Sequence, residues 1–418
     1  MGKILSIDKY SRKKIDLSNL LDINICRLNA LFTENGLNLL ITGGAVRDHI
    51  LGNKPNDIDF TTDANPDEII SKLKNNRDFL IIDDAKKYGC ISFKKNEKKY
   101  EVTTLREDVN TFGRSADIRF TKDLYKDAMR RDFFCNSMYL SFDGMLYDPL
   151  NAYQDTLGRK VSFIGDTFDR IQEDHLRILR YIRFSSKLDS KNIIPEELEV
   201  CIKEKALLLR ISKERIKSEI LKLMQSIKSP EIISALSLRE FLGLFDIKIN
   251  NCTHIPKLAS IKKRFDNFFQ NPLFEFTLTL DNTVPFDNTL NMLRELRFTN
   301  HEIKQIKIFL DLLEQRTVSV VDNIDAYIYK YGREFTGYAV IIFCLFESKK
   351  IQNKSLLTLF NSISEKAIPN FPIKSEDILG LGVKPGKDVG LIIKKFEKEW
   401  LSSNCQLTKD ELLAKINP

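Results

Sequence analysis

LLITGGAVRDHILGNKPNDIDF, Leu39 to Phe60, is the stretch whose reading decides the rest of this chain. Leu39-Leu40-Ile41 is an apolar run of the kind that forms a buried strand. Gly43-Gly44 follow at once, then a short amphipathic piece, Ala45 to Leu51, stopped by Gly52. A second strand is predicted to carry Asp57 and Asp59 in the pattern Asp-Ile-Asp-Phe. Side chains alternate along a strand, so both carboxylates face one way while Ile58 and Phe60 face the core. Two acids on one strand face are costly unless a cation sits between them. Hard oxygen ligands at that spacing suit Mg²⁺, which keeps water and takes substrate phosphates as its other ligands. Gly43 and Gly44 let backbone N–H groups approach a triphosphate, and Arg47 reaches the same anion. A lone Asp-x-Asp or Gly-Gly is most often a solvated turn. Strand, glycine pair, helix, strand and paired acids in one short stretch together point to metal-dependent nucleotidyl transfer.

Working outward, Ser18 to Asn35 is predicted as a leading helix closed by Gly36. Asn65-Pro66-Asp67-Glu68 is a strong helix start: a cap, proline at the first position, then acids on the positive end. Phe79–Ile82, Gly89–Lys94 and Tyr100–Leu105 read as strands. Arg106 to Asp117 has no period and reads as a mobile loop, Thr121 to Asn136 as a helix, and Met138 to Tyr147 as a hairpin around Asp143-Gly144. Lys160–Ile164 reads as another short strand. Then the texture changes: between Gly165 and Gly332 the only glycine is Gly243, and apolar residues recur at helical spacing. Thr299-Asn300-His301-Glu302 is a capping box. Everything after about Asp166 is expected to be helical, ending in a helix that contains Trp400. The fold class is therefore α+β: an N-terminal mixed sheet followed by helices.

The chain has 418 residues, 43% hydrophobic and 29% charged, with a net charge of +7 from 65 basic and 58 acidic residues. That is an ordinary globular composition, long enough to bury real cores. The mild basic excess is compatible with an RNA partner. Cys26, Cys90, Cys135, Cys201, Cys252, Cys344 and Cys405 are scattered without a C-x-x-C, which fits reduced thiols in a cytoplasmic setting rather than a disulfide framework or zinc site. The N-terminus lacks the apolar core of a signal peptide. The longest apolar run, near Ala339–Phe346, falls far short of the ~20 residues that span a bilayer.

Three further groups carry chemistry. Glu101, on a strand shortly after the acids, is either a third carboxylate at the metal or an edge-strand acid. Arg130-Arg131-Asp132-Phe133-Phe134-Cys135-Asn136 sets two arginines beside an aspartate, suiting phosphate oxygens and a sugar hydroxyl; the plainer alternative is a surface ion pair. In Glu173-Asp174-His175-Leu176-Arg177-Ile178-Leu179-Arg180-Tyr181-Ile182-Arg183-Phe184, the residues Asp174, Arg177 and Arg180 are i, i+3 neighbours on one drifting helix face. An ordinary charged helix face is the plain reading. The sharper one comes from the bases. Cytosine and adenine offer an amine donor beside a ring-nitrogen acceptor, whereas uracil and guanine offer the reverse. Aspartate only accepts and arginine only donates, so the pair matches C and A and mispairs with U and G.

GGAVRD with DID, RRDFFCN, the Asp148-Pro149 exit, EDHLRILRYIRF and KERIKSEI at Lys213–Ile220 occur in the order that resembles the class II tRNA nucleotidyltransferases, the CCA-adding enzymes of the polymerase-β-like superfamily, with bacterial poly(A) polymerases as close relatives. The motifs cover Leu39 to Met224, and weaker similarity runs to the end. The resemblance implies a catalytic head at 1–165, a helical neck at 166–230 that reads the base, and a helical body and tail at 231–418 that hold tRNA. It implies Mg²⁺ on Asp57 and Asp59, and nucleotide contacts from Gly44, Arg47, Arg131 and Asp132, within the clusters that also contain Gly43 and Asn136. Asp174 and Arg177 would read the base, with Arg180 and Arg183 supporting the pocket. CTP and ATP would be the substrates, and oligomeric state stays open. Relatives on the same scaffold include poly(A), CC-only and A-only adders. An inert RNA-binding relative and a DxD sugar-nucleotide transferase are the other classes weighed; the intact DID, RRD and EDHLR argue against the first, and the clusters at Arg131 and Arg177 leave the second without an explanation. The chain departs from the pattern at Phe112, where an Asp is usual before Gly113-Arg114; at Phe134, Cys135 and Ser137 in the second motif; and at Asn151-Ala152 after Asp148-Pro149.

Overall fold

A computed structural model of the chain describes residues 11–18, 20–55, 57–112, 115–188, 192–227, 231–250, 252–265, 271–315, 320–346 and 353–415. In chain order the first part runs β1 (Ser11–Lys14), α1 (Ile23–Glu34), β2 (Leu40–Thr42), α2 (Gly44–Ile50), β3 (Asp59–Thr62), α3 (Pro66–Leu73), β4 (Leu80–Ile82), β5 (Cys90–Lys95) and β6 (Lys98–Thr104). It continues with β7 (Arg106–Phe112), β8 (Ser115–Phe120), α4 (Leu124–Met129), β9 (Tyr139–Leu140), β10 (Met145–Asp148) and α5 (Tyr153–Leu157). Eight strands form one sheet in the order β1-β10-β9-β2-β3-β6-β5-β4, parallel only between β3 and β6.

The apolar run at the centre is continuous because β2 is covered on both faces. Ile41 packs with Leu28 and Phe32 of α1, Phe60, Phe93, Val102 and Ile69 of α3. Leu40 points the other way, into a smaller cluster with Leu124 and Ala128 of α4, Leu105 and Tyr139. The glycine-poor second part is helical as predicted. It includes α6 (Thr167–Glu173), α7 (Arg177–Leu188), α8 (Pro195–Lys203) and α9 (Lys213–Ser226), then helices from Glu231–Ala235 to Lys409–Leu413. The Asn65 cap and the Thr299–Glu302 capping box form as expected. The chain makes two compact units, Met1–Glu219 with Ser234–Leu244, and Ile220–Ile233 with Phe245–Pro418.

Several elements differ from expectation. The leading helix begins at Ile23, where Asp22 accepts from Asn24 and Ile25 N–H. The presumed loop after Leu105 is a hairpin, β7 with β8, a separate two-stranded sheet whose tip, 113–114, lies outside the described residues. The helix expected to reach Asn136 stops at Met129, and Asp132 caps the Phe133 N–H in extended chain. Lys160–Ile164 makes one isolated bridge, Phe133 to Phe163, and the Phe163 N–H, pointing away from it, donates to Glu197. The Trp400 helix is followed by one more, Lys409–Leu413.

Candidate active site

Sheet register builds the first part of the site. Tyr139 pairs with Thr42, Thr42 with Asp59, and Glu101 with Ser92. The parallel register Phe60 to Val102, taken one residue back, sets Asp59 beside Glu101. Partners across strands share a face, so Tyr139, Thr42, Asp59 and Glu101 form a row on the side opposite Phe60 and Val102. Asp57 stands on the bend just before β3 rather than on the strand itself. The alternation still holds: Asp57 and Asp59 are exposed, Phe60 is buried, and Ile58 packs against the core.

The Asp59 carboxyl faces solvent, yet enough protein surrounds it that burial is the main influence raising its pKa. Glu101 and Asp57 raise it further as like charges, while Arg131 pulls it down. That set places Glu101, Asp57 and Arg131 within electrostatic range of Asp59. Glu101 is half exposed and accepts from Lys99 Nζ at 2.8 Å. Among the described residues no group of three His, Cys, Asp or Glu side chains is placed to hold a metal ion. Two adjacent open carboxylates are nonetheless the hard oxygen donors that suit a small divalent cation completed by substrate phosphates and water.

Arg131 reaches this face by a chain of contacts. Gly43 has φ 69° and ψ −132°, a conformation that side chains rarely adopt, and a Cβ there would lie 3.3 Å from Arg131 Nη1. The guanidinium therefore rests against the glycine turn. It is fixed from behind by Asp127, fully buried on α4, whose Oδ2 accepts from Arg131 Nη2 at 3.0 Å and Nε at 3.3 Å. Asp127 Oδ1 accepts from Arg130 Nε and Nη2 at 2.9 and 2.7 Å, and Tyr139 Oη donates to Oδ2 at 2.7 Å. Burial alone would raise the Asp127 pKa, but Arg131 and Arg130, then the Tyr139 hydroxyl, hold it well below the usual carboxylate range.

Asp132 turns the other way, into a buried network. Its Oδ2 accepts from Arg180 Nε at 2.7 Å and also from Nη2, and its Oδ1 accepts from Asn136 Nδ2 at 3.0 Å. Asn136 Oδ1 accepts from Arg47 Nη1 at 2.5 Å, and Arg47 also bonds Asp48 at 2.8 Å. Arg47 is 2% exposed, so this side chain ties α2 to the second motif. Lys187 of α7 holds the other oxygen of Asp48 at 2.8 Å.

The base-reading run is where the structure departs most from the sequence reading. It is not one helix. α6 ends at Glu173, α7 begins at Arg177, and Asp174 sits between them in extended conformation. Its Oδ1 accepts from the Leu176 N–H at 3.2 Å, a local turn that competes with helix. Asp174 is held by Arg215 of α9 at 2.8 Å, whereas Arg177 Nη1 bonds Glu173 at 2.6 Å and the Arg170 carbonyl at 3.0 Å. Asp174 and Arg177 are thus neighbours in the chain with separate partners, not one paired face. Arg183 bonds Glu219 of α9.

Asp127, Arg170, Arg215, Glu219 and Phe184 were not singled out from sequence. Asp127 carried a usable signal, three and four residues before Arg130 and Arg131. Arg170 donates Nη2 to the Arg130 carbonyl at 2.8 Å and to that of Arg131 at 2.5 Å. Arg215 and Glu219 lie within the Lys213–Ile220 run, but nothing in its spacing says that they meet Asp174 and Arg183.

Residues 39–162 match the family described as Poly A polymerase head domain, and 276–416 that described as tRNA nucleotidyltransferase domain 2, putative. The chain is 33% identical over 402 residues to the human protein named CCA tRNA nucleotidyltransferase 1, mitochondrial, covering 93% of this chain and 88% of that one. It is 29% identical to the Staphylococcus aureus CCA-adding enzyme, covering 79% and 80%. Among solved structures, the Bacillus stearothermophilus CCA-adding enzyme in complex with CTP aligns with TM-score 0.67 at 20% identity, covering 94% of this chain and 98% of that one. The Thermotoga maritima CCA-adding enzyme complexed with tRNA aligns with TM-score 0.57 at 18% identity, covering 97% and 99%. At those identities the structural likeness speaks for the fold.

Proposed function

We infer that this chain, which belongs to the family of CCA tRNA nucleotidyltransferases, adds C, C and A to the 3′ end of tRNA from CTP and ATP without a nucleic-acid template. The observation that carries the reading is the cross-strand row that sets the exposed Asp59 beside Glu101, with Asp57 on the bend just before it and Arg131 laid against the Gly43 turn. The RNA 3′-hydroxyl attacks the α-phosphate of the bound triphosphate. Its oxygen forms the new phosphodiester, its proton leaves, and pyrophosphate departs. Asp57 and Asp59 would hold Mg²⁺, which when bound lowers the hydroxyl's pKa and offsets charge on the phosphate oxygens.

The chain's own residues position the reactants. The Gly43-Gly44 turn gives a triphosphate close access to backbone, and Arg131 supplies a guanidinium on the same side. Asp132 is assigned to the sugar, within the network of Asn136, Arg47 and Arg180. Asp174 and Arg177 are assigned to the base edge, which shares them with Arg215 and Glu173. The head is assigned to 1–165, base reading to 166–230 and tRNA holding to 231–418. Among the described residues no helix is long and apolar enough to cross a membrane. All seven cysteines are free, which favours a reducing, cytoplasmic setting.

The test is incorporation on tRNA lacking its 3′ end, with each of the four triphosphates, with and without a chelator. CTP and ATP should be used, UTP and GTP refused, and EDTA should stop the reaction until Mg²⁺ is restored. Asp59→Ala should abolish incorporation while sparing tRNA binding. An Asp59→Ala variant that still extends RNA would overturn the catalytic assignment, and runs of A from ATP alone would point to a poly(A) polymerase.

A further inference from the structure

Three guanidinium groups converge on one buried ring. Phe184, on α7, is 5% exposed. The guanidinium carbons of Arg183, Arg47 and Arg180 lie 4.0, 4.7 and 5.4 Å from its ring centroid. Each lies within the range over which the ring's negative faces attract a cation. Phe133, next to Asp132, packs edge-on against the same ring at 5.6 Å.

Arg183 feels the crowding: burial, then Arg180 and Arg47 as like charges, outweigh Glu219 and hold its pKa below the usual arginine value. Hydrogen bonds hold Arg180 at the Nε and Nη2 edge and Arg183 at Nε, whereas Arg47 is held at both edges, by Asp48 at Nε and Nη2 and by Asn136 at Nη1. Arg47 holds Asn136 and Asp48, Arg180 holds Asp132, and Arg183 holds Glu219. Those partners come from different elements: α2, the second motif and α9. Among the described residues the ring is a group that all three arginines share. A planar cation pinned at one edge still pivots, and a π-face beside it restricts that pivot.

We propose that Phe184 is a positioning residue for nucleotide binding, its ring fixing the orientation of Arg180 and through it of Asp132. This rests on the reading that the Asp132 network serves the incoming nucleotide. Phe184 touches no reacting atom. Its effect falls on how well the triphosphate is held, not on the bond-making step.

The experiment compares Phe184→Leu and Phe184→Met, which keep an apolar side chain without a π-face, with Phe184→Tyr, which keeps the face. Thermal unfolding selects variants that remain folded. Steady-state incorporation of C and A on truncated tRNA gives kcat and KM, and equilibrium titration of ATP without RNA gives binding directly. The Leu and Met variants should raise KM and weaken ATP binding about tenfold with kcat nearly unchanged, and Tyr should restore both. A folded Leu or Met variant with wild-type ATP binding would overturn the proposal. So would a Tyr variant as weak as Leu, because shape alone would then explain the effect. If wild-type protein incorporates neither C nor A, the functional reading fails, while the ATP titration still decides the role of Phe184.

Discussion

Asp127→Asn changes one buried carboxylate and nothing of its shape, so its consequence can be worked out from contacts. The wild-type group accepts from Arg130 at 2.9 and 2.7 Å, from Arg131 at 3.0 and 3.3 Å, from Tyr139 Oη at 2.7 Å and from the Arg106 N–H at 3.2 Å. An amide turns one of its two oxygens into a donor. Whichever oxygen is lost, one arginine then meets an N–H instead of an acceptor. Both guanidiniums also lose their counter-charge while remaining only 17% and 15% exposed. Breaking a buried ion pair from one side costs about 3–5 kcal/mol. The residual exposure of both arginines and the Tyr139 hydroxyl's fallback on the Leu124 carbonyl at 3.4 Å place this case near the lower end, about 3 kcal/mol. At about 1.4 kcal/mol per tenfold, that is more than a hundredfold in local opening. Amide hydrogen exchange reads it directly. Amides of α4, β9 and Arg106 should exchange faster by that factor, while those of Lys387–Ser402, in the other compact unit, should not change. A shift under about 1 kcal/mol in the α4 and β9 amides would refute the argument that this carboxylate is the anchor of the arginine pair.

Gly43→Ala forces a side chain into a region almost reserved for glycine and brings a Cβ to 3.3 Å from Arg131. It should cost about 1–3 kcal/mol in urea unfolding and lower kcat/KM by at least about tenfold, whereas Gly36→Ala, whose Cβ meets open space, should leave incorporation intact. For Asp132, burial works upward, but Arg180 and Asn136 hold the pKa below the ordinary value of 3.8. A depressed acid adds stability that is complete above the unfolded value and disappears as pH falls through the folded one. Urea midpoints should therefore fall with acidification below about pH 4 in the wild type, and less steeply in Asp132→Asn. Arg215→Ala removes the partner of Asp174 and should relax discrimination against UTP and GTP while leaving pyrophosphate release per turnover unchanged. Unaltered selectivity would show that Asp174 needs no support from α9.

The centre of the fold was legible because local chemistry and burial agree there. Leu40 and Ile41 read as a buried strand, and the structure covers it on both faces; Asp59 and Phe60 alternate as the period demands. The failures share a cause. At Asp174 the side chain bonds a nearby N–H and ends a helix that the apolar spacing of Leu176, Leu179 and Ile182 seemed to carry through. In β7 and β8 the alternation is hidden: Glu107 pairs with Arg119 across the ribbon and with Lys126 of α4, and the apolar Val109 and Phe120 stay exposed. Arg131 and Asp132 were visible as a cluster, but nothing in their spacing says that one faces the sheet and the other faces Arg180. That division depends on Asp127 and Asn136, which act through contacts made after folding.

Besides sharing the Glu173 carboxylate, Arg170 and Arg177 grip main-chain oxygens: those of Arg130 and Arg131 in one case, those of Arg170 and Arg130 in the other. A carbonyl is the same at every position, whatever residue bears it. The hydrogen bonds that seat α6 and α7 under the second motif therefore do not read the side chains at 130 and 131, which answer instead to Asp127. A change at either position is felt at the buried Asp127 while the main-chain joint to α6 and α7 keeps its acceptors.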